Sequence, residues 1–394
     1  MAEDLFSSPT PFTPPTTEED RLAWLRLIRS HRVGTRTFFR LLHEHVTAQA
    51  ALEALPEVAR AAGVERYSPA SRSAAEAEYA AGTSAGAVLL CHGERDYPAA
   101  LGEIEDPPPV LWCLGDPAYL HRPMVALVGA RNASSLGTRM ARSLAAGLGE
   151  AGYTVVSGLA RGIDAAAHHA AIGTGTVAVH AGGADVVYPL ENLGLAESIA
   201  AQGARLSEQP MGLNPQARHF PRRNRIISGL ARGVVVVEAA ARSGSLITAR
   251  EALDQGREVL AVPGHPFDAR ASGANALIRD GATLVRGVED ALSVLRRPTP
   301  PGSEDTVRTA ASIRRESAEP PPTTDPTPSP RRAPADIAAL HSAILDRLGP
   351  SPVAEDQLIR DLALPAAQLS PELLALELDG RIARQPGGLL ARVD

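Results

Sequence analysis

Phe220, Arg222, Arg223, Asn224 and Arg225 fall within six residues, at the start of an expected helix and just ahead of the apolar run Val234–Val237. A helix start offers unpaired backbone N–H groups and the positive end of the helix dipole. Guanidinium forks add planar, permanently charged donors, so the segment reads as an anion site. Two more polar turns follow apolar runs. Gly129-Ala-Arg131 follows Met124–Val128, and Ser157–Asp164, with Gly158, Ala160 and Gly162, follows Tyr153–Val156. Glycines in the second turn let backbone N–H groups converge as an anion nest, with Asp164 as a cap for the next helix. Three such turns on one sheet suit a ligand with several phosphates.

Two other turns carry candidate contacts. After Thr176–His180 comes a loop with Tyr188 and Asn192. Tyr188 can stack on a base or anchor the loop on Pro189, and Asn192 can bond sugar or phosphate. Ser243, Gly244, Ser245 and Thr248 open a helix after Val237-Glu238, where hydroxyls can cap the helix or donate to phosphate. No nucleophile, base and orienting acid share a recognisable spacing. The histidines form no metal set, and neither a Walker A loop nor a dinucleotide glycine fingerprint is present. The expectation is a binding protein with no catalytic residue, metal or cofactor.

These turns need a scaffold, and the apolar pattern supplies one. Met124–Val128, Tyr153–Ser157, Thr176–His180, Val234–Val237 and Val259–Val262 read as strands. Gly137–Gly149, Ile163–Ile172, Leu193–Gln202, Leu246–Gln255 and Ala274–Asp280 read as the helices between them. Continuous Val-rich runs alternating with helices predict an α/β, Rossmann-like, doubly wound parallel sheet. Ligands bind that fold outside the carboxyl ends of the strands, where all three turns lie. The expected organisation is a disordered 1–20, a helical SAM-like or helix-hairpin-helix-like module over 21–95, the Rossmann-like domain over 96–297, a Pro-rich linker over 298–335 and a C-terminal winged helix over 336–394. The linker holds ten prolines and no apolar period. Ile337, Leu340, Ile344 and Leu348 share one helix face, and Ile382–Leu390 reads as a wing.

The net charge of −6 conceals an uneven distribution. Residues 123–297 hold 18 arginines against 14 acids, whereas both flanking blocks are acidic. A basic middle block between acidic ends suits a polyanion on the middle block alone. Residues 336–394 carry 5 arginines and 9 acids, which argues against strong phosphate contact there. Every basic side chain apart from the histidines is arginine, and Cys91 and Cys113 are the two cysteines. With no signal-like or membrane-spanning stretch, a reduced, cytoplasmic protein is expected.

From Asp96 to about Leu295 the chain resembles the DprA (Smf) family of DNA-processing proteins. The resemblance rests on Gly129-x-Arg131, Ser157-Gly-x-Ala-x-Gly-Ile-Asp164, Asp185-x-x-Tyr-Pro-x-x-Asn192, Phe220-x-x-Arg-Asn-Arg-Ile-Ile227 and Ser243-Gly-Ser-Leu-x-Thr248. It implies a single-stranded DNA-binding protein that protects incoming DNA and helps load a RecA-type recombinase in natural transformation, with single-strand-binding protein as a further partner. Arg131, Ser157, Gly158, Gly162, Phe220, Arg223, Asn224 and Arg225 would line the pocket. A homodimer would form through Asn275, Leu277, Ile278 and Leu284. The rival from another class is a nucleoside-monophosphate phosphoribohydrolase. That chemistry needs a proline-glycine-glycine loop with a following acid, and Ser243-Gly-Ser245 lacks both.

Overall fold

The computed structural model describes residues 13–295 and, further along, residues 341, 344–345, 348, 353–354, 358, 362, 369, 373, 376–377, 381–385 and 389–392. The chain divides into two compact units, 1–301 and 302–394.

Four helices come first: α1 (Glu18–Arg29), α2 (Thr35–His45), α3 (Ala48–Ala61) and α4 (Arg72–Ser84). α1 starts before residue 20, inside the stretch expected to be disordered, because Thr17 and Asp20 cap it reciprocally. Thr17 Oγ1 accepts from the Asp20 N–H at 3.1 Å, and the Asp20 carboxylate accepts from the Thr17 N–H at 3.1 Å. Trp24, Phe38, Leu41 and Leu52 lie in the core beneath these helices.

A nine-stranded sheet follows: β1 (Ala87–Cys91), β2 (Val110–Gly115), β3 (Met124–Gly129), β4 (Thr154–Ser157), β5 (Thr176–Val179), β6 (Ala204–Ser207), β7 (Gly233–Glu238), β8 (Glu258–Ala261) and β9 (Thr283–Leu284). Their spatial order is β1-β2-β6-β5-β4-β3-β7-β8-β9. Every pairing from β6 to β9 is parallel. The β1–β2 hairpin adds two antiparallel strands outside β6. The helices after it are α5 (Ala99–Gly102), α6 (Ser135–Glu150), α7 (Ile163–Ala171), α8 (Leu193–Gln202), α9 (His219–Leu230), α10 (Ser245–Asp254), α11 (Ser272–Arg279) and α12 (Val288–Leu295). Alternate residues of each strand face opposite layers. Val125 and Leu127 pack with α6, α7 and α12, whereas Ala126 and Val128 pack with α5, α9, α10 and α11.

The hairpin was expected only as a lead-in, and its first strand lies before the expected boundary at residue 96. Its pleat explains its place in the sheet. Leu89, Cys91, Val110 and Trp112 face the helical module, while Leu90, Leu111 and Cys113 face the main core. One hairpin therefore belongs to two hydrophobic cores. β6 gives no apolar run either, because Arg205 sits mid-strand, buried, donating to His180 Nε2 at 3.2 Å and to the Ala184 carbonyl.

The chain runs outward from β3 through β4 and β5 to β6, then returns to the other side of β3 as β7 and continues to β8 and β9. The point where the winding reverses, between β3 and β7, is where this fold opens a crevice.

In the C-terminal unit, β10 (Val353–Ala354), β11 (Ile382–Gln385) and β12 (Leu389–Arg392) form an antiparallel sheet in the order β10-β12-β11. Ile344, Leu348, Leu369, Leu373 and Leu376 close its core, and the β11–β12 hairpin is the wing of a winged helix. Ile337, Leu340 and the 298–335 linker lie outside the described residues.

Trp112 tests whether the helical module and the sheet share their stability. Its ring is 1% exposed, and its Nε1–H donates to Glu78 at 2.8 Å, which also holds Arg29 at 2.9 Å. Trp112→Ala should cost about 3–5 kcal/mol in a urea melt. A loss below about 1 kcal/mol would show that the module and the sheet are energetically separate.

Candidate nucleic-acid interface

A cleft of about 240 Å³ opens at the reversal point. Gly129 and Arg131 approach it from the end of β3, and Ser243–Ser245 and Thr248 from the turn after β7. Phe220, Arg223 and Asn224 line it from α9, Ala160 from the loop after β4, and Asp164 from the first turn of α7. A second cleft of about 160 Å³ adds Gly158, Arg161, Tyr188 and Pro189, and shares Arg131, Ala160 and Phe220 with the first.

Arg223 forms the floor. It reaches from α9 to β5 and donates Nη1–H to the Val179 carbonyl at 2.9 Å. The side chain is buried, and its Nε meets no partner among the described residues. Burial lowers its pKa to about 10, with the nearby Asp164 charge opposing the fall. Gly158 makes this possible, since a Cβ there would lie 1.7 Å from Nη1.

Asp164 takes a different place from the expected cap. α7 begins after Gly162 without a side-chain cap, and the Asp164 carboxylate turns back into the loop. It accepts from the Gly158 N–H at 3.2 Å and the Ala160 N–H at 3.4 Å. The expected anion nest is thus occupied by the protein's own carboxylate. Burial raises the Asp164 pKa, and the Arg223 charge and these hydrogen bonds restrain the rise. Gly162, at φ +75°, lets this loop touch the β3 turn, where a Cβ would lie 2.3 Å from the Ala130 carbonyl oxygen.

Phe220 stands at the centre of the rim. The Arg131 guanidinium lies 5.1 Å from its ring centroid, and Arg223 lies 5.9 Å away. Tyr188 meets it edge-on at 5.8 Å and keeps 51% of its surface exposed. Arg131 is exposed and has no acidic partner among the described residues. Ser243 and Ser245 hydroxyls share a 2.7 Å hydrogen bond, and the Asn224 amide donates to the Gly244 carbonyl at 3.4 Å.

Three family models match this chain. One described as DNA recombination-mediator protein A covers residues 88–296, a DprA-like N-terminal HHH domain covers 18–81, and a DprA winged helix domain covers 319–388. The chain is 36% identical to protein Smf of Synechocystis over 76% of its own length and 78% of that protein's. It is 38% identical to protein Smf of Escherichia coli over 74% of each chain. The chain belongs to the DprA/Smf family. Among solved structures, DNA processing protein A of Streptococcus pneumoniae superposes with a TM-score of 0.52 at 35% identity, covering 67% of this chain and 99% of that one. The Helicobacter pylori protein, whose structure is described for its single-stranded DNA binding mode, gives 0.50 at 29% identity over 53% and 95%.

Not every expected contact of this DprA/Smf chain lines a cleft. Ser157 is fully buried and donates to the Leu127 carbonyl at 2.6 Å. Asn192 donates to the Leu159 carbonyl at 2.9 Å, holding the loop rather than facing a ligand. Arg225 points away from the clefts. Its Nε lies 3.2 Å from the Asp106 carboxylate, Nη1–H donates to the Asp106 carbonyl at 2.6 Å, and Nη2 pairs with Glu208. Arg222 is exposed on another side of α9. Of the expected dimer residues, Leu277 and Ile278 pack partly against the main core, and Asn275 bonds the Gly264 N–H and carbonyl at 3.0 Å each. Leu284 is 41% exposed.

The sequence reading also missed Glu238. Its carboxylate accepts from the Ser134 N–H at 3.0 Å and the Ser134 hydroxyl at 3.1 Å, and its carbonyl accepts from the Ala130 N–H at 2.7 Å. It fixes both ends of the turn that carries Arg131. An acid closing a strand just before a Ser/Thr-rich turn was the available signal.

Arg225 and Arg131 should therefore behave oppositely in thermal or urea unfolding. Arg225→Ala leaves Glu208 without its buried partner and should cost about 3 kcal/mol. Arg131→Ala should change stability by less than about 0.5 kcal/mol. Equal effects would contradict this division.

Proposed function

We propose that this DprA/Smf-family protein binds single-stranded DNA at the β3–β7 cleft and hands the strand to a RecA-type recombinase, working in the cytoplasm alongside single-strand-binding protein. The observation that carries the reading is Arg131. It is an exposed guanidinium without an acid among the described residues, beside the half-exposed Tyr188–Phe220 pair and above the buried Arg223. Charge for a phosphate next to aromatic faces for bases is the recognition chemistry of a single strand. The Ser243, Ser245 and Thr248 hydroxyls, from the turn before α10 and its first turn, complete the lining of the cleft. The likeness to the Helicobacter pylori protein, described for single-stranded DNA binding, supports the same reading.

The cleft suits binding rather than catalysis. Asp164 is committed to the Gly158 and Ala160 N–H groups, and its raised pKa reflects burial. Release of free base from mononucleotides is not expected.

We read the protein as a homodimer through the β9 edge, where Leu284 is exposed. A two-fold contact there would place two clefts on one particle and raise affinity for long strands.

Arg131→Ala should weaken binding to single strands of any sequence and flatten the salt dependence, log K against log salt, by roughly 0.7. A weaker variant with an unchanged slope would show that the lost contact was not ionic. Leu284→Glu should halve the mass in light scattering, and an unchanged mass would place the interface elsewhere.

A further inference from the structure

On the other side of the α9 start lies a separate cleft of about 410 Å³. Its apolar floor includes Ile28, Val33 and Val110. One wall is the α1–α2 turn at Gly34 and Thr35, and the facing wall is Arg218, His219 and Arg222. The helical module and the sheet domain thus build it together.

The charges that line it do not cancel. The Arg29 guanidinium is bound to Glu78 and to the Glu208 carbonyl, and the Glu208 carboxylate is held by Arg225. That leaves Arg218 and Arg222, both exposed and without an acid among the described residues. The Arg218 Nε–H lies 3.4 Å from His219 Nε2 and the Gln216 N–H 3.2 Å from His219 Nδ1, so donors face both ring nitrogens, and the ring accepts from one of them at a time. The imidazole is therefore neutral and offsets neither arginine. Burial, then the Arg218 and Arg222 charges, hold its pKa below the ordinary histidine value. On the opposite wall α2 begins at Gly34 without a side-chain cap.

The two clefts flank one helix end. Successive residues of a helix turn by about 100°. Phe220 and Arg223 consequently serve the β3–β7 cleft while Arg218 and Arg222 serve this one. We infer that this second cleft seats phosphates of the same single strand as it leaves the first, between the paired arginines and the Gly34–Thr35 turn. The inference rests on the single-strand reading above. The helical module, which holds ten arginines against seven acids over 21–95, then contributes to the DNA path through one backbone turn, and the binding footprint extends beyond the sheet domain.

The test uses the full chain with both arginines replaced, Arg218→Ala with Arg222→Ala, and oligothymidylates of about 5 and about 20 nucleotides across a salt series. Both side chains are exposed, so melting temperature and light-scattering mass should match the parent protein. The short strand should bind unchanged. The long strand should bind about tenfold or more weakly near 0.1 M salt, with the slope reduced by roughly 1.4 for two lost phosphate contacts. The Lys pair at the same positions should recover most of that slope. Unchanged long-strand affinity and slope would overturn the inference and leave the cleft to a protein partner. An equal loss on both lengths would also overturn it, by assigning these arginines to the first cleft. Arg131→Ala run in parallel separates the two readings. If it leaves both lengths unaffected, the first cleft fails as the primary site, while the double variant still reports on the second.

Discussion

The site depends on a buried cation. Arg223 gives up most of its hydration, and its charge is answered by one backbone carbonyl and the neighbouring Asp164 rather than by a close ion pair. Removing a guanidinium from water is costly unless it is bonded and partly neutralised. Here the compensation is incomplete, since the Nε remains without a partner among the described residues. The same side chain bonds the end of β5, lies under Gly158 after β4 and approaches Phe220 on its own helix. Three segments far apart in sequence are thereby fixed to one charge, and that charge attracts an anion entering the cleft from solvent.

Above this floor the arrangement is a division of labour among arginines. Arg223 is buried and structural as well as electrostatic. Arg225 is spent on Asp106 and Glu208, binding α9 to the segment before β2 and the loop after β6. Arg131, held over Phe220 by a turn that Glu238 fixes at both ends, is left uncompensated. Preorganising that turn in the free protein lowers the ordering cost of engaging a phosphate. The β1–β2 hairpin plays the matching role on a larger scale, since its two faces tie the helical module to the sheet and bring the α1–α2 turn beside α9.

Much of this was legible beforehand. Val-rich runs such as Val234–Val237 announce a parallel sheet because both faces are covered, and glycine turns after them announce strand ends. Arg131, Phe220, Arg223 and the Ser243–Thr248 cluster come together as their positions at those ends required. What was not legible depends on partners distant in sequence. Arg225 and Arg223 look alike in the sequence, and only the proximity of Asp106 and Glu208 separates their roles. Ser157 and Asn192 carry ligand-like groups whose hydrogen bonds go to the Leu127 and Leu159 carbonyls instead. The nest after β4 was recognised, but its occupant, Asp164, follows from a helix that starts without a side-chain cap. β6 was hidden because a charged residue interrupts its apolar pattern, and the charge is tolerated through the Ala184 carbonyl and through His180, whose imidazole is kept neutral by burial with a pKa of about 3.

The most direct measurement is a crystal structure with a short oligothymidylate bound. The account predicts a phosphate within hydrogen-bond distance of the Arg131 guanidinium and a base against Phe220 or Tyr188, with the Arg223 side chain unmoved beneath Gly158. A strand seated elsewhere on the protein, with the β3–β7 cleft free of nucleic acid, would contradict it.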